Sequence, residues 1–106
     1  MDNTKEHQKL VDDILFAVGS HKRIRLWTRN VGFDYMRKIK FGVEGEADLQ
    51  GIIAPTGRML GIECKTGTGR LSAAQKRWRD MLIKFGGLYI EARSIDQVLD
   101  EINRAL

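Results

Sequence analysis

The segment Gly61-Ile62-Glu63-Cys64-Lys65 alternates between uncharged and charged residues. Successive side chains of a β-strand point to opposite faces of a sheet, so Ile62 and Cys64 share one face while Glu63 and Lys65 share the other. The uncharged face suits a protein core, and the other face presents a carboxylate beside an ammonium group. We therefore predict a strand whose apolar side packs into the core and whose charged side presents functional groups.

A second extended segment, earlier in the chain, carries another carboxylate. Ala47 and Leu49 are expected to face one way and Asp48 the opposite way. The turn signal Pro55-Thr56-Gly57 is typical of a connection between antiparallel neighbours. We therefore expect Asp48 and Glu63 to lie at the same end of one hairpin.

This hairpin brings two carboxylates within reach of one ion. If the turn centres near Thr56, Asp48 pairs near Lys65 and lies diagonally across from Glu63. Carboxylates held close together repel each other unless a proton or a cation lies between them, and hard divalent cations prefer oxygen ligands. The pair predicts a Mg²⁺ or Mn²⁺ site.

Composition narrows the class of protein. The chain has 106 residues, 42% of them hydrophobic, which predicts a single domain over residues 1–106. No apolar run approaches the length of a membrane span and the N-terminus has no apolar signal core, so we expect a cytoplasmic protein. The lone cysteine, Cys64, cannot form an internal disulfide and is expected to be buried.

The charge distribution favours an anionic partner. The net charge is +4, and basic residues concentrate in the stretches 21–29, 37–40 and 70–79, on both sides of the acidic stretch 44–48. Any one of these runs could be a solvated face. Together they indicate a polyanion whose phosphates contact lysines and arginines while a cation neutralises the carboxylates.

Periodicity and turn signals give an order of elements. They predict helices over about 5–18, 72–85 and from 94 onward, strands over about 24–28, 47–54, 58–65 and 88–91, and a less certain strand around 35–41. The expected fold class is α/β, with a central mixed β-sheet flanked by helices in the order α-β-β-β-α-β-α.

These residues resemble the PD-(D/E)XK nuclease superfamily and, within it, the small stand-alone VRR-NUC domains of phage and bacterial proteins. The resemblance spans nearly the whole chain. It rests on Arg29-Asn30-Val31-Gly32, Gly45-Glu46-Ala47-Asp48-Leu49-Gln50-Gly51, Ile62-Glu63-Cys64-Lys65-Thr66, Gly69-Arg70-Leu71-Ser72, Gln75 and Gly86-Gly87. It implies a compact restriction-endonuclease-like core, a bacterial or phage origin, and a Mg²⁺- or Mn²⁺-dependent endonuclease that hydrolyses phosphodiester bonds in DNA.

The resemblance also implies roles for particular residues. Asp48, Glu63 and the backbone carbonyl of Cys64 would bind the metal. Lys65 would orient the attacking water and stabilise charge on the phosphate.

The N-terminal helix of the family usually supplies another acid, for which Glu6 is the candidate. Glu6, Leu10, Ile14 and Ala17 fall on one helical stripe that we expect to face inward. The alternative is an exposed first-turn acid that complements the helix dipole. Asp13 would replace Glu6 if the helix had a different phase.

Gln75 has two interpretations. Ser72-x-x-Gln75 is a capping box, in which Gln75 bonds back to the Ser72 amide. Gln75 also shares a helical face with Trp78 and Leu82, so that an inward side chain would project over Glu63. We assign Gln75 to the active site.

Several basic and aromatic residues flank this centre. Arg29 and Asn30 suit phosphate contacts beside the metal. The residues that could continue the phosphate track are Arg37, Lys40, Arg70 and Lys76. Trp27 and Trp78 are expected in the core. His7 and His21 have no visible metal partner, and we expect both at the surface.

Other functions are compatible with parts of the sequence. Gly67-x-Gly69 followed by Glu91 imitates a dinucleotide-binding fingerprint, but the third glycine is replaced by Ser72. A DNA-binding domain that keeps the nuclease fold without the chemistry is a second alternative. For the nuclease, the small size favours branched DNA such as a four-way junction, cut by a homodimer, over sequence-specific recognition; a general DNA nickase is the alternative.

Overall fold

The computed structural model describes residues 4–29 and 32–106, with the backbone alone described for residues 32, 33 and 39–41. The elements are α1 (Lys5–Gly19), β1 (Ile24–Thr28), β2 (Gly32–Asp34), β3 (Ile39–Phe41), β4 (Leu49–Ile53), β5 (Arg58–Cys64), α2 (Ala73–Lys84), β6 (Leu88–Ala92) and α3 (Ile95–Ala105). No helix in these ranges is both long enough and apolar enough to cross a membrane. With β2 and β3 set aside as a separate small hairpin, the predicted order of elements is confirmed.

Among the described residues, four strands form the central sheet in the order β1-β4-β5-β6. Strands β1, β4 and β5 are antiparallel neighbours, whereas β6 runs parallel to β5. A parallel neighbour requires a crossover connection, which α2 provides. The sheet is therefore mixed, as predicted, and β5 lies inside it with a partner on each side.

The two faces of the sheet are covered by different helices. On one face, α1 and α3 enclose the main core, whose fully buried members include Ile14, Leu49, Leu60, Ile62, Ile90, Val98 and Ile102. On the other face, α2 contributes Trp78 and Leu82 to a smaller cluster. A Cβ atom at Gly61 would lie 2.8 Å from the Trp78 ring, so the glycine lets α2 pack close to β5.

The phase of α1 differs from the prediction by one residue. Thr4 is the N-cap, and its hydroxyl accepts a hydrogen bond from the backbone N–H of His7 at 3.1 Å. The buried residues are Val11, Ile14 and Val18, with Leu10 only partly buried. Extended towards the N-terminus, this stripe reaches His7 and not Glu6.

The predicted strand around 35–41 is a turn over most of its length. Residues 35–38 connect β2 to β3. The Asp34 carboxylate accepts hydrogen bonds from the backbone N–H groups of Met36 at 3.0 Å and Arg37 at 3.1 Å. A short acidic side chain that bonds to the following amides favours a turn over an extended strand.

The prediction that both tryptophans belong to the core is correct for Trp78 and wrong for Trp27. Trp78, on the sheet-facing side of α2, is 8% exposed, while Trp27 is 41% exposed. Trp27 lies on β1, an edge strand whose only neighbour in the described sheet is β4. An edge strand offers less surface for packing than a central strand.

Candidate active site

Asp48 lies in the bend immediately before β4, and the hairpin register places it beside Glu63. Leu49 pairs with Ile62, so the register is one residue away from the predicted one, and Asp48 is not paired near Lys65. The Asp48 backbone N–H donates to Glu63 Oε1 at 3.2 Å, and Asp48 Oδ2 accepts from the Cys64 backbone N–H at 3.0 Å. The two acids are 8% and 2% exposed.

The expected alternation of side chains does not extend to Ala47. Leu49 belongs to the main core under α1 and α3, whereas Ala47 packs with Trp78 and Leu82 under α2. The two side chains therefore face opposite sides of the sheet. The period of two applies only within β4, which begins at Leu49, and Ala47 precedes it.

Besides the Asp48 amide, two further polar groups hold Glu63. Its Oε2 accepts from Gln75 Nε2 at 3.1 Å and lies 3.4 Å from Lys65 Nζ. Burial, followed by the charge of Asp48, raises the pKa of Glu63 to about 7, and the charges of Lys65 and Arg29 oppose that rise. The carboxylate is thus held where a positive charge is needed to keep it ionised.

Gln75 makes the capping-box and active-site contacts at the same time. Its Oε1 accepts from the Ser72 backbone N–H at 2.8 Å, while its own backbone N–H donates to the Ser72 hydroxyl at 3.1 Å. Its Nε2 is then directed to Glu63. The two interpretations are compatible because the amide oxygen and the amide nitrogen bond in different directions.

Arg29 follows β1 and connects its end to the loop that carries Asp48. Its backbone N–H donates to the Asp48 carbonyl at 3.0 Å, and its guanidinium donates to the Glu46 carbonyl at 3.1 Å. Its Nη2 lies 3.9 Å from Asp48 Oδ1. A Cβ atom on Gly45, which has φ +80°, would lie 2.2 Å from the Ala74 carbonyl oxygen, so this loop passes directly against the start of α2.

Sequence reasoning missed His7. Its side chain is 13% exposed, and its Nε2 lies 3.1 Å from Asp48 Oδ2 and 3.1 Å from the Cys64 carbonyl oxygen. The expectation that His7 lies at the surface is wrong. The spacing of Val11, Ile14 and Val18 was the signal that could have placed it.

The expectation that Glu6 faces inward is also wrong. Glu6 is exposed in the first turn of α1, where it complements the helix dipole. The alternative acid, Asp13, forms an ion pair with Lys9 on the outer surface of the helix. The helix phase set by the buried valines and isoleucine turns both acids away from the centre.

Cys64 contributes its backbone to this centre. Its thiol is free and buried in the main core, as expected, and burial raises the pKa of the thiol to about 12. Its N–H and carbonyl contact Asp48 and His7 respectively. The side chain anchors the strand while the backbone faces the site.

These groups border one cavity of about 660 Å³. Its lining residues are Thr4, His7, Gln8, Val11, Thr28, Arg29, Asp48, Glu63, Lys65 and Gln75. The described residues contain no cluster of three or more His, Cys, Asp or Glu residues that forms a ready metal cage. The site instead combines two acids, a carbonyl oxygen and an imidazole with the cationic groups of Lys65 and Arg29 and the amide of Gln75.

The predicted phosphate-binding residues are dispersed. Asn30 and the side chain of Lys40 lie outside the described residues. Arg37 is exposed in the β2–β3 hairpin, 3.7 Å from Asp34. Arg70 and Lys76 border a second cavity of about 460 Å³ with Arg79 and Arg93.

The second cavity is built around the loop that leaves β5. Arg93 donates to the carbonyls of Gly67 at 3.0 Å and Gly69 at 2.6 Å, and it contacts the Glu91 carboxylate at 3.0 Å. These bonds fix the loop against the end of β6. The same loop separates Lys65 in the first cavity from Arg70 in the second.

The fold and this centre define a nuclease-like α/β core of the PD-(D/E)XK type, with acids at two adjacent strand ends, a lysine two residues after the second acid, and a helix glutamine above them. The profile of the VRR-NUC domain matches residues 1–96. The chain therefore belongs to the VRR-NUC family and is a nuclease-like DNA-processing domain. Comparisons with curated proteins and with solved structures each found no match.

Proposed function

We propose that this chain is a divalent-metal-dependent endonuclease that hydrolyses phosphodiester bonds in DNA. The observation that supports this most strongly is the convergence of Asp48, Glu63 and Lys65 in one cavity. All three are at least nine-tenths buried, yet they border a space that a ligand can enter. Buried charges are costly to keep, and a functional role accounts for their retention.

The donor set fits a small hard cation. Asp48, Glu63 and the Cys64 carbonyl offer oxygen atoms, and burial, followed by the neighbouring charge of Asp48, raises the pKa of Glu63. A Mg²⁺ or Mn²⁺ ion held by these oxygens would supply Lewis-acid chemistry, polarising the phosphate and activating a water molecule for attack. The ion would also relieve the repulsion between the two carboxylates.

Lys65 and Gln75 have separate tasks in this proposal. The Lys65 ammonium, 3.4 Å from Glu63, orients the attacking water and stabilises the charge that develops on the phosphate. Gln75 holds Glu63 by a hydrogen bond and so fixes the direction of its remaining lone pairs. Both act from rigid elements, one from the end of a strand and one from the first turn of a capped helix.

Basic residues at the two cavities are the proposed contacts to the DNA backbone. Arg29 lines the first cavity, and Arg70 and Lys76 border the second. Asn30, the residue after Arg29 in the sequence, is proposed to join them. Lys and Arg at both cavities suit phosphates on either side of the cut bond. Arg37 and Lys40, in the part of the sequence that forms β2 and β3, are proposed as further phosphate contacts.

Branched DNA is the proposed substrate class. A domain of this size has little surface for reading a long base sequence. A four-way junction has approximate two-fold symmetry and needs paired cuts, which a homodimer supplies. Light scattering on the protein with and without junction DNA tests the two-fold assembly.

The proposal is tested by incubating the protein with end-labelled duplex, flap and four-way-junction DNA, each with Mg²⁺, Mn²⁺ or EDTA. We expect metal-dependent cleavage that is fastest on branched DNA and is lost in Asp48→Ala. Asp96→Ala is the matched control, because Asp96 is exposed in the first turn of α3. Cleavage in EDTA would refute the mechanism. Binding without cleavage would favour a non-catalytic DNA-binding domain, and equal nicking of all substrates would favour a general nickase.

A further inference from the structure

His7 is positioned against the two oxygens that are the best candidates for metal binding on the hairpin. Its Nε2 lies 3.1 Å from Asp48 Oδ2 and 3.1 Å from the Cys64 carbonyl oxygen. Asp48 lies in the bend before β4, Cys64 is the last residue of β5, and the imidazole comes from α1. Three segments of the chain thus converge through one nitrogen and two oxygens.

The spacing of these atoms is compatible with three ligands of one shared ion. Ligands at right angles on an ion with bonds of about 2.1–2.2 Å are separated by about 3 Å. Both nitrogen-to-oxygen distances have this value. Without an ion, the Nε2–H group of a neutral His7 can share its hydrogen bond between the two oxygens.

The position of His7 is fixed by the fold. Thr4 caps α1 and bonds to the His7 amide, and the buried stripe of Val11, Ile14 and Val18 directs the next residue of that stripe into the cavity. Four residues from the N-cap and first turns of α1 line the cavity: Thr4, His7, Gln8 and Val11. In this described part of the cavity wall, α1 offers an imidazole and no carboxylate.

We infer that His7 is a protein ligand of the metal ion, bound through Nε2 beside Asp48 and the Cys64 carbonyl. The inference rests on the proposed function, because it assumes the metal site. An imidazole nitrogen among oxygen donors shifts affinity away from Mg²⁺ and towards divalent ions later in the first transition series. The site should therefore bind Mn²⁺ and Co²⁺ more tightly than Mg²⁺.

The direct test uses the unmodified protein with Mn²⁺ as a spectroscopic probe and does not depend on cleavage. Pulsed electron paramagnetic resonance of the Mn²⁺ complex should reveal a directly bound ¹⁴N nucleus. That signal should vanish in His7→Ala and persist in His21→Ala. His21 is the matched control, because its ring accepts a bond from the Arg23 amide away from the cavity.

Calorimetric titration supplies the second measurement. His7→Ala should weaken Mn²⁺ binding at least about 10-fold. His7→Glu, which replaces the nitrogen by a hard oxygen, should shift the Mg²⁺-to-Mn²⁺ preference towards Mg²⁺ by a similar factor. Glu6→Ala should have a smaller effect than His7→Ala.

The outcomes separate this inference from the proposed function. Bound Mn²⁺ without ¹⁴N coupling, or a Glu6→Ala loss as large as that of His7→Ala, would overturn the role of His7 while metal-dependent cleavage stands. Absence of Mn²⁺ binding by the folded protein, together with cleavage in EDTA, would overturn both. Circular dichroism of each variant identifies a loss of binding that results from unfolding.

Discussion

At the C-terminal end of β5 and in Lys65, which follows it, the side chains on both faces are buried, but they are held by different forces. On the face towards α1 and α3, Leu60, Ile62 and Cys64 are fully buried among apolar side chains. On the face towards α2, Glu63 and Lys65 are 2% and 4% exposed and contact charged and amide groups. Burial alone therefore does not separate scaffold from site, whereas the chemistry of the neighbours does.

This difference leads to opposite expectations for substitutions. Removing an apolar group from the first face loses packing and leaves a cavity, which lowers the free energy of unfolding. Removing a carboxylate from the second face relieves the repulsion between buried acids, so stability should be kept or increased while activity falls. The predictions below measure stability, cleavage or both.

The largest effect is expected from Lys65→Met. The variant keeps the length of the side chain but removes the ammonium beside Glu63, so DNA cleavage should slow by on the order of 10³-fold, about 4 kcal/mol in the barrier. The variant also leaves Glu63 without the ammonium that offsets its burial, so the unfolding midpoint should fall at pH 8 and change less at pH 5, where Glu63 is protonated. Single-turnover cleavage and circular dichroism provide the two measurements.

Lys84→Met is the control for the lysine substitution. Lys84 is exposed in the last turn of α2 and borders neither described cavity. The Lys84→Met variant should cleave DNA at the same rate as the unmodified protein. A loss of less than 10-fold in Lys65→Met would remove the lysine from the mechanism.

The apolar face should give the largest loss of stability. Leu60→Ala deletes a fully buried side chain from the main core and should lower the free energy of unfolding by about 2–5 kcal/mol, measured by urea denaturation. Below its own melting temperature the variant should still cleave. Met59→Ala, one residue away on the other face and only partly buried, should have less than half the effect. Equal losses would contradict the distinction between the faces.

The pH dependence of stability should reveal the cost of ionising the buried Glu63 carboxyl. The Glu63 carboxyl loses its proton near pH 4.5 in the unfolded chain but only near pH 7 in the native, metal-free state. The contribution of Glu63 to the free energy of unfolding is greatest below pH 4.5. It falls between about pH 4.5 and 7 and stays lower above pH 7. The fall should be at most about 3 kcal/mol.

Glu63→Gln isolates this contribution, because the amide does not titrate. The difference between the two proteins in urea denaturation, measured from pH 4.5 to pH 8, should grow in favour of the variant as the pH rises. Added Mn²⁺ should reduce the difference, because the ion stabilises the charged carboxylate. A difference that stays constant with pH would show that folding does not raise the pKa of Glu63.

The smallest effect concerns the shared bonds of Ser72 and Gln75. Ser72→Ala removes the helix cap and should lower the free energy of unfolding by about 1 kcal/mol, with a modest effect on cleavage. Gln75→Ala also removes the bond to Glu63 and should slow cleavage by about 10–100-fold. If both variants slowed cleavage equally, the capping role alone would account for Gln75.

Much of the fold could be predicted from the sequence, because its signals are local. The order of elements and the hairpin over 47–65 follow from alternation, periodicity and the turn at Pro55-Thr56-Gly57. The exact register did not follow, because a turn signal leaves the pairing uncertain by one residue. The β2–β3 hairpin was missed because the Asp34 side chain competes with extended structure.

For the site, the sequence identified residues on strands better than the residue on α1. Asp48, Glu63, Lys65 and Gln75 were proposed and do lie together, while their catalytic roles stay predictions. Glu6 was chosen in place of His7 because an error of one residue in helical phase rotates a side chain by about 100°. Tertiary packing of α1 on the sheet, which fixes that phase, is not visible in a helical pattern with several apolar stripes.

The most direct test of the charged face as a metal-dependent active site is a paired Mn²⁺ titration of thermal stability and of junction cleavage at pH 8. The account predicts that both rise with the same half-saturating Mn²⁺ concentration and that both responses vanish in Asp48→Ala. Cleavage that persists in EDTA, or equal Mn²⁺ stabilisation of Asp48→Ala and the unmodified protein, would contradict it.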